Sequence, residues 1–113
     1  MDKNFVSQVK RTHMCGELRA NANGQKVVLM GWVQTRRDHG SLVFIDMRDR
    51  EGIVQVVLDP KKPETTSAKD FRGEYVVAVE GIVRARPDGM INSKITTGKI
   101  EIEATRCEIL SEA

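Results

Sequence analysis

Phe44 and Gln55 stand out of phase with the apolar residues around them. In SLVFIDMRDREGIVQVVLD (residues 41–59), Val43, Ile45 and Met47 alternate along one run, and Val54, Val56 and Leu58 along a second. Successive side chains of a strand point to opposite faces. Phe44 therefore shares its face with Asp46 and Arg48, and Gln55 turns away from the apolar side. An aromatic ring on a polar face can stack an unpaired base, a contact worth about 1–3 kcal/mol. A carboxamide offers a donor and an acceptor to a pyrimidine edge. Arg36 and Arg37, late in the preceding run, can hold phosphates or make a two-point contact with a base. Glu101 and Glu103 are out of phase with Ile100 and Ile102, and a glutamate can accept from the N1–H and N2–H of guanine. Spacing alone also allows Phe44 to pack under a loop, and Gln55 and Glu103 to be ordinary solvent-facing polarity.

Catalytic chemistry has no comparable signal. There is no G-x-S-x-G and no Walker loop. His13 and Cys15 form an H-x-C without a second pair at zinc spacing, which argues against a metal site. Asp46, Arg48, Asp49 and Arg50 alternate in charge, as expected of pairs that position strands and a hairpin, each worth roughly 0.2–1 kcal/mol. Trp32, beside Gly31, reads as core rather than as a second stacking platform. The residues point to binding.

The elements that must carry these residues are mostly strands. Residues 26–36 are rich in β-branched side chains, with Gly31 at a bend. Asp38, His39 and Gly40 read as a turn. Strands follow over 42–49 and 53–58, joined by a hairpin that needs Gly52 in a left-handed conformation. Residues 60–73 read as a breaker and a short helix, capped by Thr65 or Thr66 and ended by Gly73. Residues 74–86, with Gly81 inside, and 99–110, with strict alternation, complete five strands around a polar loop over 87–98. Residues 15–25 read as a short helical segment or turn, with Asn23-Gly24 as a turn signal. Residues 2–9 read as a helical turn or two or as a disordered extension.

Three strands, a helix and two strands is the order of the OB-fold, a five-stranded Greek-key barrel whose strands 2 and 3 bind oligonucleotides or oligosaccharides. The pattern leaves another small β-barrel or a sandwich open. The 113 residues suit one all-β domain, 1–113, with 1–10 as its extension. A net charge of +2 is too mild to name a partner, but TRRDHG and VRARPDG place arginine pairs at strand ends. No apolar run approaches a membrane span, and the N-terminus has no secretion-type core, so a cytoplasmic chain with free Cys15 and Cys107 is expected.

RTHMCGEL (11–18), GWVQTRRDHGSLVFIDMRDREGIVQVV (31–57) and GIVRAR (81–86) resemble the N-terminal domain of bacterial aspartyl-tRNA synthetases over nearly all of 11–110. Asparaginyl and lysyl enzymes share a looser version. The resemblance implies an anticodon-binding OB-fold with tRNA(Asp) as partner and no cofactor of its own. ATP and Mg2+ are implied for a catalytic domain beyond residue 113. The whole enzyme is implied to be a homodimer, with most of its contact in that later part, so this chain alone is expected as a monomer. By position, Phe44 would stack the middle anticodon base, a uridine, and Gln55 would bond its edge. Glu101 would read the first base, guanine or its queuine-modified form, with Arg86 assisting. Arg37 would reach the third base, and Arg36 and Asn92 would join the anticodon-binding set. His39 and Gly89 match the subgroup that also charges tRNA(Asn), which implies tolerance of either pyrimidine at the third base and a transamidation route to asparaginyl-tRNA. Two other classes remain in view. A nonspecific single-strand-binding module would want more than 4% aromatics and a more basic groove. A barrel for protein contacts would leave Phe44 and Gln55 unexplained.

Overall fold

A computed structural model of the protein describes residues 10–112; the expectation for residues 2–9 lies outside them. Its five strands are β1 (Lys26–His39), β2 (Leu42–Asp49), β3 (Gly52–Leu58), β4 (Val76–Ala85) and β5 (Ile100–Ser111). They close in the order β1-β2-β3-β5-β4, and β4 returns to β1. All neighbours are antiparallel except β3 and β5, which pair in parallel through Val56↔Ile102 and Val57↔Glu103. This is the five-stranded OB-fold barrel expected from the order of elements.

Closure depends on β1 serving two partners. Its first half pairs with β4, from Lys26↔Ile82 to Trp32↔Val76, and its second half with β2, from Trp32↔Arg48 to His39↔Leu42. A register shift between Val33 and Thr35 bends the strand between the two sheets. The expected glycine bends have a steric cause. A Cβ on Gly31 would collide with the Arg48 carbonyl, and one on Gly81 would lie 2.5 Å from the Glu103 carbonyl oxygen. The register of β4 against β5 also shifts at Glu80/Gly81. The strand run continues to His39, beyond the expected end at Arg36, because Gly40 and Ser41 alone form the turn, with Gly40 at φ +65°. Gly52 takes φ +145°, as the second hairpin requires.

Inside, Val27, Leu29, Val33, Ile45, Met47, Val54, Val56, Leu58, Val77, Val79 and Ile102 form one fully buried core. Each contributes about 1.5–3 kcal/mol by leaving water. Phe71 joins them as the largest fully buried side chain. Trp32 is a correction. It falls on the outward phase of β1 between buried Gly31 and Val33, and is half-buried beside Met30, Val76 and Leu110.

The helix between β3 and β4 is a 3-10 segment, Pro63–Asp70, kinked at Thr65. Neither Thr65 nor Thr66 caps it. The Thr65 hydroxyl donates instead to the Asp59 carbonyl at 2.5 Å, and Pro63 opens the first turn. Phe71, not Gly73, ends it, because burial of that ring turns the backbone extended at φ −63°, ψ 133°. The N-terminal helical expectation resolves into two 3-10 turns, Cys15–Glu17 and Ala20–Ala22, followed by Gly24 at φ +88°. Cys15 and Cys107 are free and buried. Among the described residues no helix is long and apolar enough to cross a membrane.

Candidate nucleic-acid interface

The barrel register sets the outward residues of all five strands side by side. Arg37 is opposite Phe44, Asp46 opposite Gln55, and Arg84 opposite Glu101. These side chains form a continuous polar belt. Arg37 grips Asp46 with both terminal nitrogens, at 2.9 and 3.2 Å, and the Thr35 hydroxyl donates to the same carboxylate at 2.6 Å. Arg37 also donates to Gln55 Oε1 at 3.0 Å. Gln55 Nε2 donates to Glu101 Oε1 at 2.9 Å, and Arg84 Nε to Glu101 Oε2 at 2.8 Å. Arg84 then reaches Glu103 at 3.4 Å. The Gln55 amide is thereby fixed in orientation: its oxygen faces a cation and its nitrogen a carboxylate.

Burial separates the belt into a rigid floor and an exposed rim. Gln55 is 8% exposed and Glu101 5%, so the strict alternation expected of β5 fails at Glu101. That carboxylate is covered because Arg84 and Gln55 close over it. Partial burial pushes the Asp46 carboxyl up, but hydrogen bonds from Arg37 and Thr35 and the charges of Arg37 and Arg86 outweigh it, so it sits below the usual carboxylate range. The hydrogen bond to Asp46 raises Arg37 further. Burial lowers Arg86, opposed by the charges of Glu101 and Asp46.

Beside the belt lies a concavity of about 520 Å³ lined by Arg37, Asp38, His39, Phe44, Gln55 and Met90. The half-buried Phe44 ring meets the His39 ring edge-on, with centroids 6.1 Å apart. Four expected site residues, Arg37, His39, Phe44 and Gln55, thus converge on one space. Glu101 joins through Gln55. Arg86 stands at the margin, 8% exposed, donating to the carbonyls of Ile100 at 3.0 Å and Met90 at 3.3 Å. Gly89 is exposed next to Met90, with open space where a side chain would be.

Two expected residues are placed elsewhere. One Arg36 terminal nitrogen donates to the carbonyls of Ala68, Lys69 and Phe71 at 2.9–3.1 Å, and Nε to Asp38 at 2.9 Å. That guanidinium holds the end of the 3-10 segment against β1. Asn92 lines a separate concavity with Arg19, Ile95 and Lys99, and its Oδ1 accepts from the Lys94 backbone. Sequence reasoning gave no site role to Arg84 or Met90. Arg84 could have been found as the cross-strand partner of Glu101, whereas Met90 lies in a loop without periodicity.

The family model for the tRNA anticodon type of OB-fold nucleic acid binding domain matches residues 27–110. The aspartate–tRNA(Asp/Asn) ligase of Moorella thermoacetica is 56% identical over 109 residues, covering 96% of this chain and 18% of the relative. The ligase of the same name from Desulfosudis oleivorans is 52% identical over 110 residues, with the same shares. The chain thus spans about a fifth of the length of these relatives. Asparaginyl-tRNA synthetase of Pyrococcus horikoshii superposes with a TM-score of 0.74 at 30% identity, over 92% of this chain and 24% of that one. With its closed five-stranded barrel and the matched run from 27 to 110, the chain belongs to the tRNA anticodon family of OB-fold nucleic acid binding domains.

Proposed function

We propose that this chain is the anticodon-reading module of an aspartate–tRNA ligase that accepts both tRNA(Asp) and tRNA(Asn). The observation that carries this reading is the open concavity in which the Phe44 ring and the oriented Gln55 amide stand together. An unpaired uridine stacks on Phe44 and presents N3–H and a carbonyl oxygen. Gln55 Oε1 has a second lone pair for the N3–H, and Nε2 has a second hydrogen for the carbonyl. Arg37, half-exposed and anchored by Asp46, serves the third base. His39, whose ring can either donate or accept, and Gly89, which brings no side chain, let that position take cytosine or uracil, in keeping with the Asp/Asn names of the relatives. Glu101 serves the first-base guanine, with Arg86 at its side.

The module works in the cytoplasm as part of a longer homodimeric enzyme that attaches aspartate to tRNA using ATP and Mg2+, and the misacylated tRNA(Asn) feeds a transamidation step. Nothing in the anticodon contact is routed through those cofactors. The test is binding to three anticodon stem-loops, GUC, GUU and GAC, at one fixed salt concentration, since phosphate contacts make affinity salt-dependent. Equal affinity for GUC and GUU with loss on GAC is expected. A strong preference for GUC over GUU would refute the dual specificity, and indifference to all three would refute the anticodon reading.

A further inference from the structure

A second concavity, of about 500 Å³, opens between the 3-10 turn Ala20–Ala22 and the loop that joins β4 to β5. Arg19, Asn21, Thr96 and Lys99 line it together with Ile91 and Ile100, and no described carboxylate does. Neither cation is neutralised. The Arg19 guanidinium donates to the Gly16 and Leu18 carbonyls, at 2.7 and 2.9 Å, through one terminal nitrogen. Those bonds aim the group and leave its other nitrogens without a partner among the described residues. Among the same residues the Lys99 amine joins none of the ion pairs. The opposite wall is stiff. The Asn92 amide donates to the Gly98 carbonyl at 3.0 Å, and the Thr97 hydroxyl to the Ile53 carbonyl at 2.7 Å. A Cβ on Gly98 would overlap the Asn92 carbonyl. The cleft is thus preformed and cationic, and it shares no lining residue with the Phe44 concavity.

We infer that this cleft is a backbone-phosphate site, in which Arg19 and Lys99 hold the phosphates on the 5′ side of the first anticodon base without reading sequence. Its placement on the RNA rests on the anticodon reading above, which sets the first base at Glu101 and Arg86. Arg86 Nε donates to the carbonyl of Ile100, which lines the cleft, and the Arg86 backbone amide donates to the carbonyl of Lys99 at 2.9 Å. The first base is the 5′-most of the three, so a strand that runs on past Arg86 enters the cleft on its 5′ side. A guanidinium makes a two-point contact with a phosphate, and an ammonium meets it as a point charge. Walls of one sign concentrate the field that draws an anion in. Asn21 and Thr96 add neutral donors. Phosphate contacts of this kind set position and carry no sequence information. Inorganic phosphate offers the same chemistry and needs its own arm of the test.

The experiment titrates the wild-type chain, Lys99→Ala, Arg19→Ala and the double variant with the GUC, GUU and GAC stem-loops over a series of salt concentrations. Lys99→Ala removes no ion pair of the described fold and should melt as the wild type does. Each single variant should weaken all three loops alike, roughly fourfold near 0.15 M salt, and make the salt slope shallower by about 0.7. A GUC loop with uncharged methylphosphonates in place of the phosphates just 5′ of the first anticodon base should lose affinity for the wild type and lose none further for the double variant. Wild-type affinity and slope in both single variants would overturn the cleft, and so would a methylphosphonate loss that persists in the double variant. Binding of inorganic phosphate that Lys99→Ala abolishes, with the stem-loop slope unchanged, would give the cleft to a free anion and overturn the RNA assignment. The wild-type preference for GUC over GAC is read in the same titrations. Its absence refutes the anticodon reading and with it the 5′ placement, whereas its presence beside unchanged variants refutes the cleft alone.

Discussion

Replacing Glu101 by glutamine separates what this residue does for the barrel from what it does for RNA. The change keeps shape and removes one charge. In the folded chain Glu101 Oε1 accepts from Gln55 and Oε2 from Arg84. The introduced amide can still accept from Gln55 through its oxygen, but its nitrogen then faces the Arg84 guanidinium. Arg84 is 39% exposed and keeps Glu103 as a second partner at 3.4 Å. Solvent screening therefore holds the stability loss to about 1 kcal/mol, a melting shift of roughly 4–8 °C for a domain near this size. Guanine is a different case. Its N1–H and N2–H require two acceptors, and the amide supplies one acceptor and one repelling donor. A good bidentate pair discriminates by about 1–3 kcal/mol, so GUC affinity should fall about 5- to 150-fold. A loop with adenine first, AUC, should lose much less. Thermal melts and titrations on GUC, AUC and GAC at fixed salt measure all of this. Equal weakening of GUC and AUC, with collapse of the preference for the middle uridine, would refute the first-base role. It would show that Glu101 acts by holding Gln55.

Four other perturbations test the belt and its scaffold. Asp46→Asn removes a carboxyl held below its ordinary range. A depressed carboxyl stabilises the fold above its unfolded pKa of about 3.9 and loses that contribution as pH falls through its folded value; the variant should therefore show a shallower acid limb in its pH–stability curve, and an unchanged limb would refute the assignment. Arg36→Ala frees the carbonyls of Ala68, Lys69 and Phe71. It should cost about 1.5–3 kcal/mol in urea denaturation while leaving the salt slope of RNA binding unchanged; a slope smaller by about one would instead show a phosphate contact. Gly81→Ala places a methyl 2.5 Å from the Glu103 oxygen and 2.7 Å from an Ile102 methyl, and should destabilise by about 1–3 kcal/mol. Phe44→Ala should lower stem-loop affinity by about 1–3 kcal/mol, and undiminished binding would remove the stacking platform.

Strand phase carries most of the fold because a barrel obeys it almost everywhere. Val43, Ile45 and Met47 point inward as alternation requires, and Phe44 is left outside with Asp46. Two residues escape a local reading. Glu101 is buried by partners 17 and 46 residues distant in sequence, Arg84 and Gln55, and no local pattern can report such a contact. Trp32 reads as core because aromatic content favours the interior, whereas its phase, between Gly31 and Val33, already puts it outside. The 3-10 segment is legible as helical but not in type, since the competing Thr65–Asp59 bond and the burial of Phe71 belong to tertiary structure. Arg36 and Arg37 look alike in sequence. Strand phase sends one to the 3-10 segment and the other to the concavity, and only the register says which.

On the proposed reading, the belt would let a small barrel read bases with few aromatics. Gln55 would be a poor reader if its amide could turn over, because either orientation fits some pyrimidine edge. Its two ends are held by opposite charges supplied from β1, which lies across β2 from it, and from β5, which pairs beside it. Turning the amide over would set its nitrogen against Arg37 and its oxygen against Glu101, losing two charge-assisted bonds at once, each worth about 1.5–3 kcal/mol. That penalty exceeds the roughly 1–3 kcal/mol by which one base contact discriminates, so the orientation survives the arrival of the wrong base. On the proposed anticodon reading, middle-base specificity depends on the strands that flank β3, and a variant that loosens the β3–β5 pairing at Val56 and Val57 should lose middle-base preference, measured on the GUC and GAC stem-loops, before it loses affinity.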